Sequence, residues 1–597
     1  MLARREDLAP WRLDGREILR DFERSGRSYE SSAVLVLDYT VRRTFHDGSA
    51  LELTHNVIRV QSQEGVDQHG EFTPPPNSTV WRLRTLKADG RVLEPESSSQ
   101  RDSFSLPELR PGDAVEFEYV RVLPPMELAP GGFLGDRFYF RGFEVPYDRS
   151  EYVVVAPEAM PVIVDPRGPA PELQRATRDG LQELRWVARQ SDRLTAEPGS
   201  IAGREFLPSV AVGVGATWTR FVDALRERLL EADLRDPDAL TLAQTITRGA
   251  RTADEKLLRL HHWVLSNIQQ EGGGTPFDSA ARMLSARQGH RTRVLCYLLR
   301  LVEVPCDIAL VRQGSADATR AELADDSTFQ SLLLRVTTER GARWITAADN
   351  NAPTDYVPPA TAGGDALLLT EGAPRTEVPA LDLSQHGRGL QVSLRLDPDG
   401  TGHATVVETL RGYAATSARA ALRRMNESVR TRQFEAYVGG MVAGASLEQL
   451  AVEGVEDVEA PVVMRYSFTA PGVASRQGER LVFDGIFHTE AARTWAEAPT
   501  RTVALWNGDP VNATLDLDVT LPAGARVDAV PEDESGEAPG TRWSLRWSRG
   551  ASGFSLRRAV QVPTGRVSVT DYPRFAASVR ALDTADTRRV LVTVAPQ

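Results

Sequence analysis

The chain is poor in cysteine and lysine, and it has no long apolar run. Two cysteines, Cys296 and Cys306, stand among 597 residues. That is too few for a disulfide framework, so the fold must rest on its hydrophobic cores, with at most one bridge between the pair. Lysine occurs only at Lys87 and Lys256, while arginine supplies the rest of the 70 basic residues. We read this bias as base composition; it excludes Schiff-base and phosphate-loop lysines at most positions. No apolar stretch approaches the 18 or so residues of a membrane-spanning helix. The charged opening, Met1-Leu2-Ala3-Arg4-Arg5-Glu6-Asp7, has no apolar h-region behind it. The given chain is therefore expected to carry neither export signal nor anchor.

The net charge is -12, with acidic and basic residues interspersed. No basic stripe exists to release counterions from a phosphate backbone, so nucleic acid is not an expected partner. Several catalytic signatures are also missing: the Gly-x-Ser-x-Gly elbow, the phosphate loop, the dinucleotide fingerprint and the His-Glu-x-x-His zinc helix. Asp397-Pro398-Asp399-Gly400 lacks the later glutamate of a calcium loop and reads as a hairpin turn. His261 and His262 are helix neighbours about 100° apart, so they read as one core and one surface histidine rather than a ligand pair. No metal and no cofactor is expected.

What the chain does have is ordinary globular composition, 41% apolar and 25% charged, over a length that predicts three or four domains. Residues 1 to 30 read as a lead-in with a helix from Gly15 to Glu23. Short strands follow from Ala33 to about Val155. Among them Ala33 to Val41 and Ala50 to Val60 flank His46-Asp47-Gly48, a two-residue hairpin signal, and the whole predicts a β-sandwich. From Trp218 to Leu301 the period turns helical. Thr252 and Glu255 form a capping box ahead of a face made by Leu257, Leu260, His261, Val264 and Ile268. After a Gly-rich break at Gly272 to Gly274, a second, almost wholly apolar helix begins near Gly289. Strands are then predicted at Asp307 to Arg312, Ser331 to Thr337 and Arg343 to Thr346, an α+β order. Residues 351 to 380, rich in Pro, Ala, Gly and Thr, read as a linker. Beyond it come a hairpin at Leu390 to Leu410, helical pattern from Ala414 to Val442, and then mostly strand and turn, with an acidic loop at Glu532 to Glu537.

One phrase carries a resemblance: Met283-Leu284-Ser285-Ala286-Arg287-Gln288-Gly289-His290-Arg291, followed by the apolar run Val294 to Val304. It is similar to the phrase that, in bacterial transglutaminase-like proteins, ends in Gly-Asp-Cys and opens a buried helix with the nucleophilic cysteine. Further matching phrases run in the expected order. They are Ala33 to Tyr39, Arg84 to Gly90, Leu109 to Tyr119, Trp263 to Ile268, Leu298 to Arg300, Tyr466 to Phe468 and Asp571 to Phe575. The resemblance implies an α+β multidomain protein: lead-in 1–30, β-sandwich 31–195, transglutaminase-like (papain-like) domain 215–350, linker 351–380, and a β-rich domain 381–597 with a helical insertion. It also implies a bacterial, cell-envelope setting.

In active relatives a cysteine at the helix start is paired with a histidine on the next strand and an aspartate on the strand after it. The helix dipole and the imidazolium lower the thiol pKa, and the acid fixes the tautomer. By the resemblance these positions fall on Arg291 (or on Gln288, counting backward from Pro305), Ser331 and Thr346. A guanidinium has no usable lone pair for attack, so no catalytic residue is assigned. Cys296, inside the helix rather than at its first turn, reads as core, as does Cys306. The helix start formed by Gly289, His290, Arg291 and Thr292 offers N–H groups and polar side chains to a carboxylate, and Arg291 is expected to meet an anion. The alternative is a set of caps in a decayed cleft. The reading is thus a non-catalytic scaffold for a protein or peptide partner. Its rival is an active cysteine acyl-transferase or peptidase working from Cys296 or an unrecognised site.

Overall fold

The structure, a computed structural model, describes every residue except 1–5, 96–102, 127–129, 233–235, 271–276 and 595–597. The Gly-rich break at 272–274 and the first five residues of the lead-in lie outside the described residues. The chain divides into two compact units: one of residues 1–198, 202–225 and 317–327, the other of residues 199–201, 226–316 and 328–597.

The first unit is built on an eight-stranded sheet in the order Gln174–Arg178, Leu181–Ser191, Tyr147–Pro157, Ala33–Thr44, Ala50–Val60, Ala114–Leu123, Ser78–Leu86, Val92–Leu93. All neighbours are antiparallel except Ala33–Thr44 with Tyr147–Pro157, which run parallel with Tyr39 beside Glu151. Part of one face is covered by a smaller sheet, and Val210 and Val212 from Ser209–Val214 pack on Tyr152, Val154 and Trp186. Two expectations change here. The His46-Asp47-Gly48 turn spans three residues rather than two: the Phe45 N–H donates to Ser49 O at 2.9 Å, and Gly48 takes φ +85°, the bulged form of a hairpin. The lead-in is also part of the core. Its helix, Gly15–Ser25, is capped by Asp14, and Phe22 together with Leu8 joins Val34, Val36, Val41 and Leu53 with almost no exposure. Two apolar anchors in a charged segment are too sparse to give a readable period.

The second unit opens with helices. Thr252 accepts from Glu255 N–H at 3.1 Å at the start of Ala253–Asn267, which buries Leu257, Leu260, His261 and Val264 as the spacing predicts. The apolar helix is Arg291–Leu301, and every residue from Arg291 to Leu299 is buried. It packs against Ala253–Asn267, Pro237–Ile246 and Ala280–Ala286, which explains why it needs no polar face. A five-stranded antiparallel sheet follows, in the order Gly341–Ile345, Ser331–Thr338, Cys306–Val311, Asp365–Leu368, Arg375–Glu377. Its last two strands come from the stretch read as a linker. They are only four and three residues long and are set among turn-forming residues, so composition hid them.

The remainder of this unit is β-rich. Its eight-stranded sheet runs Ser446–Glu453, Val462–Ala470, Gly402–Arg411, Gly387–Leu396, Val511–Thr520, Gly553–Val562, Thr541–Arg549, Glu534–Ala538. The predicted hairpin is its centre, with Leu390, Val392, Leu394 and Leu396 alternating into the core. The helical stretch forms as Gly412–Leu422 and Glu427–Met441. The acidic loop is instead the edge strand Glu534–Ala538, and a helix appears at Tyr572–Asp586 where strand and turn were expected. Tyr572, Phe575, Ala576, Val579 and Leu582 bury one face of that helix, and Pro573 stands in its first turn as a start signal. The chain is therefore a multidomain, mixed α+β protein with extensive β-rich regions. Among the described residues, no helix is long and apolar enough to cross a membrane.

Candidate functional site

The start of the Arg291–Leu301 helix is assembled from three segments. Gly289 sits at φ +143° and pairs with Gln270 in a short parallel bridge; a Cβ there would lie 2.5 Å from Met283 Cγ. His290 is the N-cap residue but makes no side-chain cap. The side chain of Gln270 does that work, its Oε1 accepting from Arg291 N–H at 3.1 Å. Burial, with the nearby Arg293 charge, pushes the His290 imidazole down to about 4, so it is neutral near pH 7 and adds no positive charge to the helix start.

Arg291 does not meet the expected anion in the bonds it makes among the described residues. Its Nε donates to Ile268 O at 2.6 Å, and one terminal nitrogen lies 3.5 Å from Ala348 O. Burial lowers its pKa, opposed by the field of Asp349. Arg291 as a residue is 9% exposed, and its guanidinium ties the end of helix Ala253–Asn267 to the segment after strand Gly341–Ile345. Main-chain carbonyls can accept from the guanidinium without adding a second charge to desolvate.

Thr292 and Thr346 come together. Their hydroxyls are 3.2 Å apart, Ala347 N–H donates to Thr292 Oγ1 at 3.1 Å, and Ala348 N–H donates to Thr346 Oγ1 at 3.2 Å. Both threonines are buried. Ser331 begins its strand opposite Val311 and accepts from Gln313 Nε2 at 3.3 Å. Of the three positions that the resemblance assigns to a triad, Thr346 thus contacts the helix start directly, Arg291 reaches past it to Ala348, and Ser331 bonds elsewhere.

Cys296 is wholly buried in the second turn of the helix, with its Sγ 3.6 Å from Cys306 O. The two cysteines are not joined in a disulfide. Burial and the neighbouring Cys296 push the Cys306 thiol well above its usual range, the opposite of what activates a nucleophile.

A second cluster adjoins Thr346, and the sequence reading missed it. His261 is buried, with Nε2 3.0 Å from Thr346 O and Nδ1 3.2 Å from Thr354 Oγ1. His262 Nε2 lies 2.9 Å from Glu459 Oε1, which also accepts from Thr354 N–H at 2.9 Å and from its hydroxyl at 2.7 Å. One histidine is core and one is near the surface, as the spacing predicts. The divergence argument against a shared ligand fails, however, because one donor atom from each of His261, His262 and Glu459 falls within 4.8 Å of the others. Imidazoles are long enough to converge from neighbouring Cβ atoms. Glu459 also lines a cleft of about 500 Å³ with Tyr356, Leu381, His386, Arg411 and Arg419.

Comparison with curated proteins finds no match. Among solved structures, the chain is similar to a candidate protease from Parabacteroides distasonis, with a TM-score of 0.62 at 12% identity over 94% of this chain and 99% of that one. A candidate cysteine protease from Cytophaga hutchinsonii aligns over 41% of this chain and 87% of its own, with a TM-score of 0.19 at 10% identity, too low to carry an argument. The first likeness establishes a shared fold. Residues 46–194 match a family described as a domain of unknown function of solved structure, DUF3857.

Proposed function

We propose that the chain is a catalytically silent transglutaminase-like protein that serves as a scaffold for a protein or peptide partner. Its domains would be a β-sandwich over 31–195, extended by the lead-in, a transglutaminase-like domain over 215–350, and a β-rich domain over 381–597. The observation that carries the reading is the state of the three triad positions. Arg291 is bonded to backbone carbonyls, Thr346 is closed in a threonine pair, and Ser331 is bonded to Gln313. None of these offers a thiolate, an imidazole or a carboxylate, and all three functions must coincide for acyl transfer. A cleft of about 500 Å³ lined by both apolar and charged residues is of the size that takes several side chains of a bound segment.

An active cysteine acyl-transferase or peptidase is the second reading, favoured by the description of the Parabacteroides distasonis protein as a candidate protease. The burial of Cys296 weighs against it. Native thiol labelling separates the two: an electrophilic probe followed by peptide mass spectrometry should modify Cys296 and Cys306 only after unfolding. Labelling of Cys296 in the folded protein faster than a free thiol would favour the enzyme.

A further inference from the structure

We propose that His261 Nδ1, His262 Nε2 and the Glu459 carboxylate form a binding site for a divalent transition metal of the zinc class. One donor atom from each of the three residues lies within 4.8 Å of the others, and the contacts of His261 Nδ1 with Thr354 Oγ1 and of His262 Nε2 with Glu459 Oε1 point to these two nitrogens. A tetrahedral ion with bonds of about 2.0–2.2 Å sets its ligands roughly 3.4 Å apart, so closing the site takes shifts of about an ångström in two side chains that are partly open to solvent. The His261 tautomer is fixed in the productive sense, whereas His262, whose Nε2–H faces Glu459 Oε1 at 2.9 Å, must carry its proton on Nδ1 for Nε2 to ligate. His261 Nε2–H donates to Thr346 O at 3.0 Å, which leaves the lone pair on Nδ1 facing the cluster. A ligating histidine commonly gives its other N–H to a backbone carbonyl or a carboxylate in this way, and the arrangement orients the ring.

The donor set suits a cation as well: two imidazoles and one carboxylate are borderline ligands, which zinc, cobalt and nickel take more readily than calcium or magnesium do. Thr354 Oγ1 lies 3.2 Å from His261 Nδ1 and 2.7 Å from Glu459 Oε1, so a hydroxyl adjoins the three donors. The ion would clip helix Ala253–Asn267 to the 457–461 turn of the β-rich region. This inference does not depend on whether the Arg291 helix is catalytically silent.

The test uses the full chain, stripped with a chelator and titrated with Zn2+ by calorimetry and with Co2+ by visible absorption. The expected result is one equivalent of saturable binding, a tetrahedral cobalt spectrum and a raised Tm for the loaded protein. His262→Gln and Glu459→Gln should each weaken binding at least tenfold, and together abolish it. These two side chains are partly exposed, so the variants are expected to fold even if His261→Ala does not. A control, His403→Gln, should bind as the wild type does. Absence of saturable binding, or binding that survives the double substitution, would overturn the proposal.

Discussion

Replacing Arg291 with alanine removes a residue that is 9% exposed and a cation whose bonds run to main-chain carbonyls. The bond to Ile268 O, 2.6 Å long, is charge-assisted, and such bonds contribute about 1.5–3 kcal/mol. The carbonyl it leaves behind belongs to Ile268, itself only 2% exposed, and an unpaired buried acceptor costs about 1–3 kcal/mol. These figures overlap because both describe the same bond. The weak contact to Ala348 and the lost packing of the side-chain stem add less, while relief from desolvating a charge subtracts. The net expectation is a loss of about 2–4 kcal/mol, read as a lower denaturation midpoint with an unchanged m-value in urea. Arg291→Lys should lose about half of that, since an ammonium keeps the charge but not the fork. A surface arginine waiting for a peptide carboxylate would behave differently, with loss of about 0.5 kcal/mol or less. An Arg291→Ala protein as stable as the wild type would refute the internal tie and return the residue to ligand recognition.

Two other outcomes follow from burial. Cys296→Asp places an unpaired charge inside the helix and should destabilise the protein by about 3 kcal/mol or more, whereas Cys296→Ala should be mild; equal melting of Cys296→Asp and wild type would contradict the buried assignment. In the first unit, Glu116 has no exposure and bonds to His55, Arg82 and Arg84 at 3.0, 2.8 and 2.6 Å. Burial opposes its ionisation, but these partners prevail and hold its carboxyl at about 2. Because the folded value lies below the unfolded one, the stabilisation is present above about pH 4.5 and is lost as pH falls toward 2, on the order of 3 kcal/mol in all. Acid titration of stability should show that slope in wild type and lose it in Glu116→Gln, which is less stable at neutral pH because Arg82 and Arg84 lose the Glu116 carboxylate.

Much of the architecture was legible where one face of an element is buried. The helix after Thr252, the apolar helix after His290 and the hairpin around Asp399-Gly400 all declare themselves by period and punctuation, within a few residues of their observed bounds. Short or sparsely anchored elements did not. Asp365–Leu368 and Arg375–Glu377 are too brief to show alternation, and Leu8 and Phe22 are single anchors in a charged segment. The helix Tyr572–Asp586 had a readable signal in Pro573 and its apolar spacing, and was missed because the surrounding strands set the expectation. At the candidate site, sequence located the start of the buried helix but not what holds it. Backbone carbonyls leave no trace in residue type, so the bonds from Arg291 to Ile268 and Ala348 could not be anticipated. Glu459 stands 197 positions from His262, and no local pattern links them.

Turnover is the most direct measurement of the central claim. Wild type and Cys296→Ala would be assayed side by side for amine incorporation into glutamine-containing peptides and for peptide cleavage. The account expects both proteins to be indistinguishable from buffer, since loss of every triad function leaves no useful rate. Turnover by the wild type that disappears in Cys296→Ala, with the fold retained, would contradict it.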